Sequence, residues 1–203
     1  EKGRLNWAFF NTVVDDSQRM TNIQDPVSGV AQVVKNAGDI EYRGLEIDGV
    51  YTMTDTVTMV ASFGYVHSKY KNLISDLTGD FIIDALDYAL EVPRAAPLTY
   101  SLGFNIDGNL GTWRSITRIS YYHRDKSYYN ENNQGFINEQ DILNFGYDIY
   151  SSDGKINIGI YGKNLSNEVK HGGDTNLSFG GTFAPLAKGK IVGAELVYKF
   201  WSK

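Results

Sequence analysis

The sequence predicts an all-β chain forming a segment of an antiparallel transmembrane β-barrel. Three observations predict it: side chains that alternate apolar and polar over long stretches, connections that alternate short and long, and a polar composition rich in Tyr and Gly. The alternation is cleanest near the end of the chain. Val192, Ala194, Leu196, Tyr198 and Phe200 are apolar at every second position, with Gly193, Glu195 and Lys199 between them and Val197 the one exception. A strand has a side-chain period of two, so this run shows one greasy face and one mostly wet face. The closing strand of a barrel needs such a lipid face. Tyr (14) outnumbers Phe (10), with 21 Gly and only 4 Pro. A helical membrane protein is far more apolar than this, whereas a barrel exposes only every second residue to lipid. A soluble all-β fold passes the same composition test, so strand length and loop asymmetry decide. A tilted bilayer-spanning strand needs about 9–11 residues, while soluble strands average about 5–6.

At 203 residues the chain could hold one large domain or two small ones. It has no cysteine, which removes disulfide frameworks and thiolate metal sites. A formal net charge of −5 argues against a nucleic-acid partner held through phosphates. No initiator Met, signal peptide or apolar run of spanning-helix length is present. The opening Glu1-Lys2-Gly3-Arg4 turn leads at once into a strand, which reads as a piece of something longer.

Taken in order, the first strand is expected over 4–23, with Leu5, Trp7 and Phe9 alternating, and its partner over 29–51, where Leu45, Ile47 and Tyr51 alternate with Gly44, Glu46 and Asp48. A turn at 52–55 leads to a strand over 56–70, with Val57, Met59, Ala61, Phe63 and Tyr65 on one face. The long connection 71–92 carries Phe81, Ile82, Ala85, Leu86 and Leu90 at helix-like spacing, as expected of a short helix or strand extension packed in a loop. Its acidity speaks against a membrane-surface helix. Pro93-Arg94-Ala95-Ala96-Pro97 stiffens the chain before a strand in which Leu98, Tyr100, Leu102, Phe104 and Ile106 alternate without a break. Asp107 to Gly111 reads as a tight hairpin turn, followed by a strand over 113–125 and a polar loop over 126–140. Strands over 142–151 and 155–165 flank a turn at Asp153-Gly154, and a Gly-rich connection from His171 to Gly189 precedes the last strand. About eight strands result. Their connections alternate between tight turns (53–55, 107–111, 152–154) and long polar ones (24–28, 71–93, 126–138, 168–189), the asymmetry of the two rims of an outer-membrane barrel. The first of the long ones can equally be a hairpin with extended arms.

Several stretches resemble the TonB-dependent outer-membrane receptors. Asn36-Ala37-Gly38, with Gly44, Glu46 and Asp48, resembles the family's "NAG-x-x-x-x-G-x-E-x-E" strand, with Asp48 where Glu is usual. Ala8-Phe9-Phe10 with Gln18 is similar to its "aFy…Q" strand, and Pro93 to Pro97 to its "P-x-x-P" lead-in. Gly162-Lys163-Asn164-Leu165 is similar to "gkNL", and the end of the chain to its "G-x-E-l-x-Y-x-F" closing strand. The chain departs from the pattern in continuing through Trp201-Ser202-Lys203 and in carrying Lys188-Gly189-Lys190 where an Arg is usual. The resemblance implies the C-terminal part, over 1–203, of a barrel of about 22 strands with a plugged lumen, located in the bacterial outer membrane. Seen alone it should be a curved open sheet with Leu5-Trp7-Phe9 and Val192-Leu196-Phe200 as unsatisfied edges. Its implied partners are outer-membrane lipid, the absent plug and N-terminal strands, the TonB complex acting through that absent region, and a scarce nutrient complex such as a ferric siderophore. The alternative is a small structural barrel of these strands closed on themselves, without transport. The inward residues Gly44, Ser62, Gly64, Ser68, Ser101, Gly103 and Gly146 are small for so narrow an interior.

Solute contact is expected first on strand 113–125. If Trp113, Ile119 and Tyr121 face lipid, then Arg114, Arg118, Tyr122 and Arg124 face the lumen, where three arginines can attract an anionic chelate. The competing expectation, and the favoured one, is that they pair with lumen carboxylates such as Glu46, Asp48 and Glu195, or with the plug. Tyr128, Tyr129 and the nearby Asn130, Asn132 and Asn133 could stack on or hydrogen-bond a ligand, or simply build the loop. His67, His123 and His171 lack the spacing of a metal set, and no cysteine assists. No cofactor and no catalytic constellation is expected. Asp76-Leu77-Thr78-Gly79-Asp80 only partly matches a calcium loop.

Overall fold

The computed structural model describes residues 2–25, 27, 29–173, 175–176 and 182–200. Within them the long alternating runs all form strands: β1 (Gly3–Asp25), β2 (Gly29–Thr52), β3 (Val57–Leu73), β4 (Leu98–Leu110) and β5 (Trp113–Arg124). After the short β6 (Ser127–Tyr128) and β7 (Phe136–Ile137) come β8 (Gln140–Tyr150) and β9 (Ile156–Lys163). β10 (Thr175–Asn176) and β11 (Thr182–Phe183) pair in the last long connection, and β12 (Ile191–Tyr198) ends the sheet. Eight strands make one sheet in chain order, β1-β2-β3-β4-β5-β8-β9-β12. Each neighbouring pair is antiparallel.

Registers assemble the alternating residues into continuous rows across the sheet. One row runs Leu5, Gly49, Ala61, Leu102, Tyr121, Leu143 from β1 to β8. Nearer the other edge, Ile149, Ile158 and Leu196 line up across β8, β9 and β12. Among the described residues no second layer covers this outer face: Leu102 is 40% exposed and Leu196 71%. A soluble sheet would bury these side chains, because each large aliphatic group left in water forgoes about 1.5–3 kcal/mol. The sheet is also open. β1 and β12 stand at opposite edges, so the eight strands do not close on themselves as the small-barrel alternative requires.

The opposite, inner face is polar. Asn6 Nδ2 donates to Asp48 Oδ2 at 3.0 Å, and the Ser62 and Ser101 hydroxyls meet at 2.7 Å. Its small residues serve their neighbours. A Cβ on Gly44 would lie 2.3 Å from Phe10 Cζ, so the glycine makes the bed for that ring.

β1 and β2 run on as a two-stranded ribbon until Asp25 pairs with Gly29, so of the two expectations for the first long connection the hairpin with extended arms holds. Three boundaries differ from the sequence expectation. β4 continues through Asp107 to Leu110, where the sequence suggests a turn, because Asp107 reaches across the ladder to Arg114 and Leu110 still pairs with Trp113. The 126–140 loop contains the β6–β7 hairpin. Phe200 lies past the end of the closing strand and packs edge-on against Tyr198 at 4.9 Å. Residues 201–203 lie outside the described residues.

Connection 74–97 folds back over the inner face, where Ile40, Tyr70, Leu73 and Val92 form a buried cluster with Leu77 and Leu90 at its edge. Its helix α1 (Ala85–Tyr88) is a single turn opened by a capping box between Asp84 and Asp87. Its buried residue is Asp87, while Phe81, Ile82 and Leu86 point outward, so their spacing does not mark a buried helix face. Asp87 accepts from the backbone N–H groups of Leu77, Thr78 and Asp84 at 2.8–3.0 Å. Burial pushes its carboxyl up, but those donors outweigh burial and the group ends below its ordinary value. Asp76 is held low chiefly by the Gly79 N–H, against some burial, with Phe81 N–H and the Thr78 hydroxyl adding to it.

A carboxyl lowered in the folded loop contributes stability above its unfolded value of about 4, lost as pH falls through the lower folded value. Amide-exchange protection of 74–90, taken relative to the intrinsic rate at each pH, should therefore be steady from neutral pH down to about 4 and fall below it. Asp87→Ala should open the same segment at neutral pH by about 1.5–3 kcal/mol. Unchanged protection in that variant would contradict the assigned staple.

Candidate lumen-facing site

Alternation along β5 places Arg114, Arg118, Tyr122 and Arg124 on the inner face and Trp113, Ile119 and Tyr121 on the outer one. The structure divides the arginines. Arg114 Nε donates to Asp107 Oδ1 at 3.0 Å, and Arg118 pairs with Asp148. Gly146 leaves room for Arg118, whose guanidinium a Cβ there would touch at 3.6 Å. These are ion pairs of the wall, with partners other than the expected Glu46, Asp48 and Glu195. A parity argument gives the face of a side chain but not its row, and only the register sets Asp148 within reach of Arg118.

Arg124 differs. Its Nη2 donates to Ser127 Oγ at 2.9 Å, and Ser127 is buried at the foot of β6. It carries no carboxylate within ion-pair distance among the described residues. Beside it lies Arg94, from the Pro-flanked segment before β4. Arg94 adopts the left-handed region at φ 62°, donates its N–H to the Tyr128 carbonyl at 2.7 Å and lays its guanidinium 4.6 Å from the Tyr129 ring centroid. Arg94 and Arg124, with Phe10, Glu46, Gly64 and Thr99, line an inward cavity of about 250 Å³. Two guanidiniums against one carboxylate leave the cavity cationic.

Of the residues the sequence singles out, Arg124 lines this cavity and Tyr129 props its second arginine. Tyr122 stands one strand over from Ser101, and Tyr128 lies 5.1 Å beneath the Lys126 ammonium. Asn133 ties two loops together: its Oδ1 accepts from Glu91 N–H at 2.8 Å and its Nδ2 donates to the Glu91 carbonyl at 2.9 Å. Arg94 is absent from the sequence expectation, where its segment served only as a stiff lead-in. The available hint was an arginine held between two prolines at the long-loop rim.

Two of the three histidines are held by neighbours. His123 stacks on Tyr100 at 4.7 Å, with Nδ1 2.7 Å from Asp141 and Nε2 3.0 Å from Asp125. His171 lies against Phe136 at 6.1 Å. Among the described residues no His, Cys, Asp and Glu group has the arrangement of a metal site.

No family model and no curated protein matches the sequence. Solved structures do match. The ferric yersiniabactin uptake receptor FyuA from Yersinia pestis superimposes with a TM-score of 0.79 at 16% identity, over 98% of this chain and 28% of that one. The fold is that of an uptake-receptor barrel. The ferric preacinetobactin receptor BauA from Acinetobacter baumannii (TM-score 0.69, 13% identity) is matched over 97% of this chain and 27% of that one. The copper transporter OprC (0.67, 14%) is matched over 98% and 30%. The chain thus spans under a third of the length of each of these solved proteins.

Proposed function

We propose that the chain is the C-terminal wall of a TonB-dependent receptor barrel in the bacterial outer membrane, serving energy-coupled uptake of a scarce nutrient complex such as a ferric siderophore. The observation that carries this reading is the outer face: one uncovered apolar surface continuous across eight strands of an open sheet. Lipid is the solvent such a face fits. The resemblance of the Asn36–Asp48 strand and of the closing strand to this receptor family supports it, as does the likeness to FyuA, a ferric yersiniabactin uptake receptor, and BauA, a ferric preacinetobactin receptor.

In this reading the strands seal the membrane, while the absent plug and N-terminal strands complete the lumen and engage the TonB complex. The wall's own share in recognition is the cationic cavity. Arg94 and Arg124 face the mouth and attract a carboxylate- or phenolate-bearing chelate, while Arg114 and Arg118 hold the wall. The test uses the intact receptor in its own cells and a panel of ferric siderophores. Uptake of one of them should require both this gene and an active TonB system. Arg94→Gln and Arg124→Gln should each weaken binding of that chelate about tenfold, the loss of one charge-assisted hydrogen bond. Uptake that persists without TonB would overturn the transport reading. Uptake that needs TonB but ignores both arginines would overturn only the cavity's role.

A further inference from the structure

The two ends of the connection between β5 and β8 are tied together through one side chain. His123 stands directly opposite Asp141 in the β5–β8 ladder, next to its last pair, Arg124 and Gln140. Its Nδ1 lies 2.7 Å from Asp141 Oδ1 and its Nε2 3.0 Å from Asp125 Oδ1. Asp125 opens the connection, its N–H donating to the Leu98 carbonyl, and Asp141 is the second residue of β8. Tyr100 stacks on the ring, and the Tyr121 hydroxyl donates to the same Asp141 oxygen. Lys170, in the last long connection, adds a positive charge near Asp141 and is paired with Glu168 and Glu139 at 2.6 and 3.6 Å. The His123 side chain is 16% exposed and both carboxylates 37%, so the cluster is packed yet open to protons from water.

This arrangement selects one form of the ring. An ionised carboxylate only accepts, and a neutral imidazole has one N–H and one lone pair. A neutral His123 would satisfy one aspartate and turn a lone pair toward the other, whereas the imidazolium donates to both. What the neck holds is the cationic cavity. Just past Asp125, the Ser127 hydroxyl accepts from Arg124 Nη2 and the Tyr128 carbonyl accepts from the Arg94 N–H. The Tyr129 ring lies against the Arg94 guanidinium. Ser127 and Tyr128 pair with Ile137 and Phe136, which lead back to Gln140 and Asp141. Parting the neck therefore shifts the supports of both arginines.

We infer that His123 is a positioning residue for this cavity: as an imidazolium it clamps the neck between Asp125 and Asp141 and so holds Arg94 and Arg124 in place. Loss of the ring's second proton frees one aspartate and loosens the neck. The clamp is complete on the acid side of that step and is lost as pH rises through it. Carboxylates ordinarily titrate near pH 4 and tyrosines near 10, so between about pH 6 and about pH 9 the ring is the member of the cluster that changes charge. The use of the clamp in recognition rests on the receptor reading above; the clamp itself does not.

The test follows hydrogen exchange of the intact receptor in detergent, with no chelate added, at about pH 6 and about pH 9, each amide taken relative to its intrinsic rate. The amides to read are those of Arg94, bonded to the Tyr128 carbonyl, and Tyr129, bonded to the Gly135 carbonyl. Wild-type protection of both should be about tenfold lower at the higher pH, the worth of one charge-assisted hydrogen bond. His123→Gln, without a charge, should sit near the alkaline wild-type level at both pH values. His123→Lys, which keeps a cation between the aspartates, should stay near the acidic level at both. A ring needed only for its packing on Tyr100 would give equal loss in the two variants and no pH response in the wild type, and either result overturns the clamp. A pH response that persists in His123→Gln overturns it too. The wild-type comparison decides the matter even where a variant fails to fold. Uptake that ignores both arginines would remove the cavity's role in recognition and leave the clamp standing, whereas a wild type indifferent to pH would remove the clamp and leave the uptake reading standing.

Discussion

Leu102→Arg should cost the folded barrel about 2–4 kcal/mol in vesicles, and Ser101→Arg, one residue earlier on the same strand, much less. The difference is one of face. Leu102 stands in an outward row between Ala61 and Tyr121, with no layer of described residues over it, so a guanidinium there must be drawn out of hydrocarbon. Ser101 points inward, where it shares a hydrogen bond with Ser62 and an arginine can keep its hydration. Leu196→Arg on β12 should repeat the large penalty, since its row is formed with Ile158. Folding into vesicles followed by urea titration reads each value. Equal penalties at both parities would remove the basis for assigning either face.

Gly38→Ala should rank beside it, at roughly 2–6 kcal/mol, for a wholly different reason. Gly38 sits at φ +127°, a conformation that L side chains rarely adopt, and an added Cβ would lie 2.0 Å from the Asn72 carbonyl oxygen. Backbone strain contributes about 1–3 kcal/mol and the clash a similar amount. The position is a kink in two ladders at once: the β1 register shifts around Ser17, which pairs with Gly38, and the β2–β3 register shifts between Gly38 and Ile40. Gly79 supplies the control. It too has a positive φ, +90°, but nothing lies within 4 Å of its missing Cβ, so alanine there should show the strain alone. Urea midpoints of the two variants that coincide would argue that the approach of Asn72 is unimportant.

The strands and their faces were legible in the sequence because lipid on one side and polar surface on the other impose the same period on every span. What escaped is what depends on neighbours. Asp107-Gly108-Asn109 has turn composition, yet the ion pair to Arg114 carries the ladder through it. Phe81, Ile82 and Leu86 have helical spacing, yet the loop is ordered by the Asp76 and Asp87 carboxylates, with those apolar groups turned outward. Arg118 was readable as inward-facing, but its partner Asp148 follows only from the register of β5 against β8 and β9. Arg94 could not be ranked with Arg124 at all, since the two are brought together by a loop that returns over the sheet.

Every strand of the main sheet pairs only with those before and after it in that sheet, and the short hairpins interrupt none of the ladders. Such a wall can be laid down one ribbon at a time, each arriving span needing to find a single template and never to pass beneath chain already in place. Search distances stay short and no knot can form. By the same logic hairpins are natural units of gain and loss, so pores of different girth can be reached by duplicating or deleting a pair without redrawing the rest.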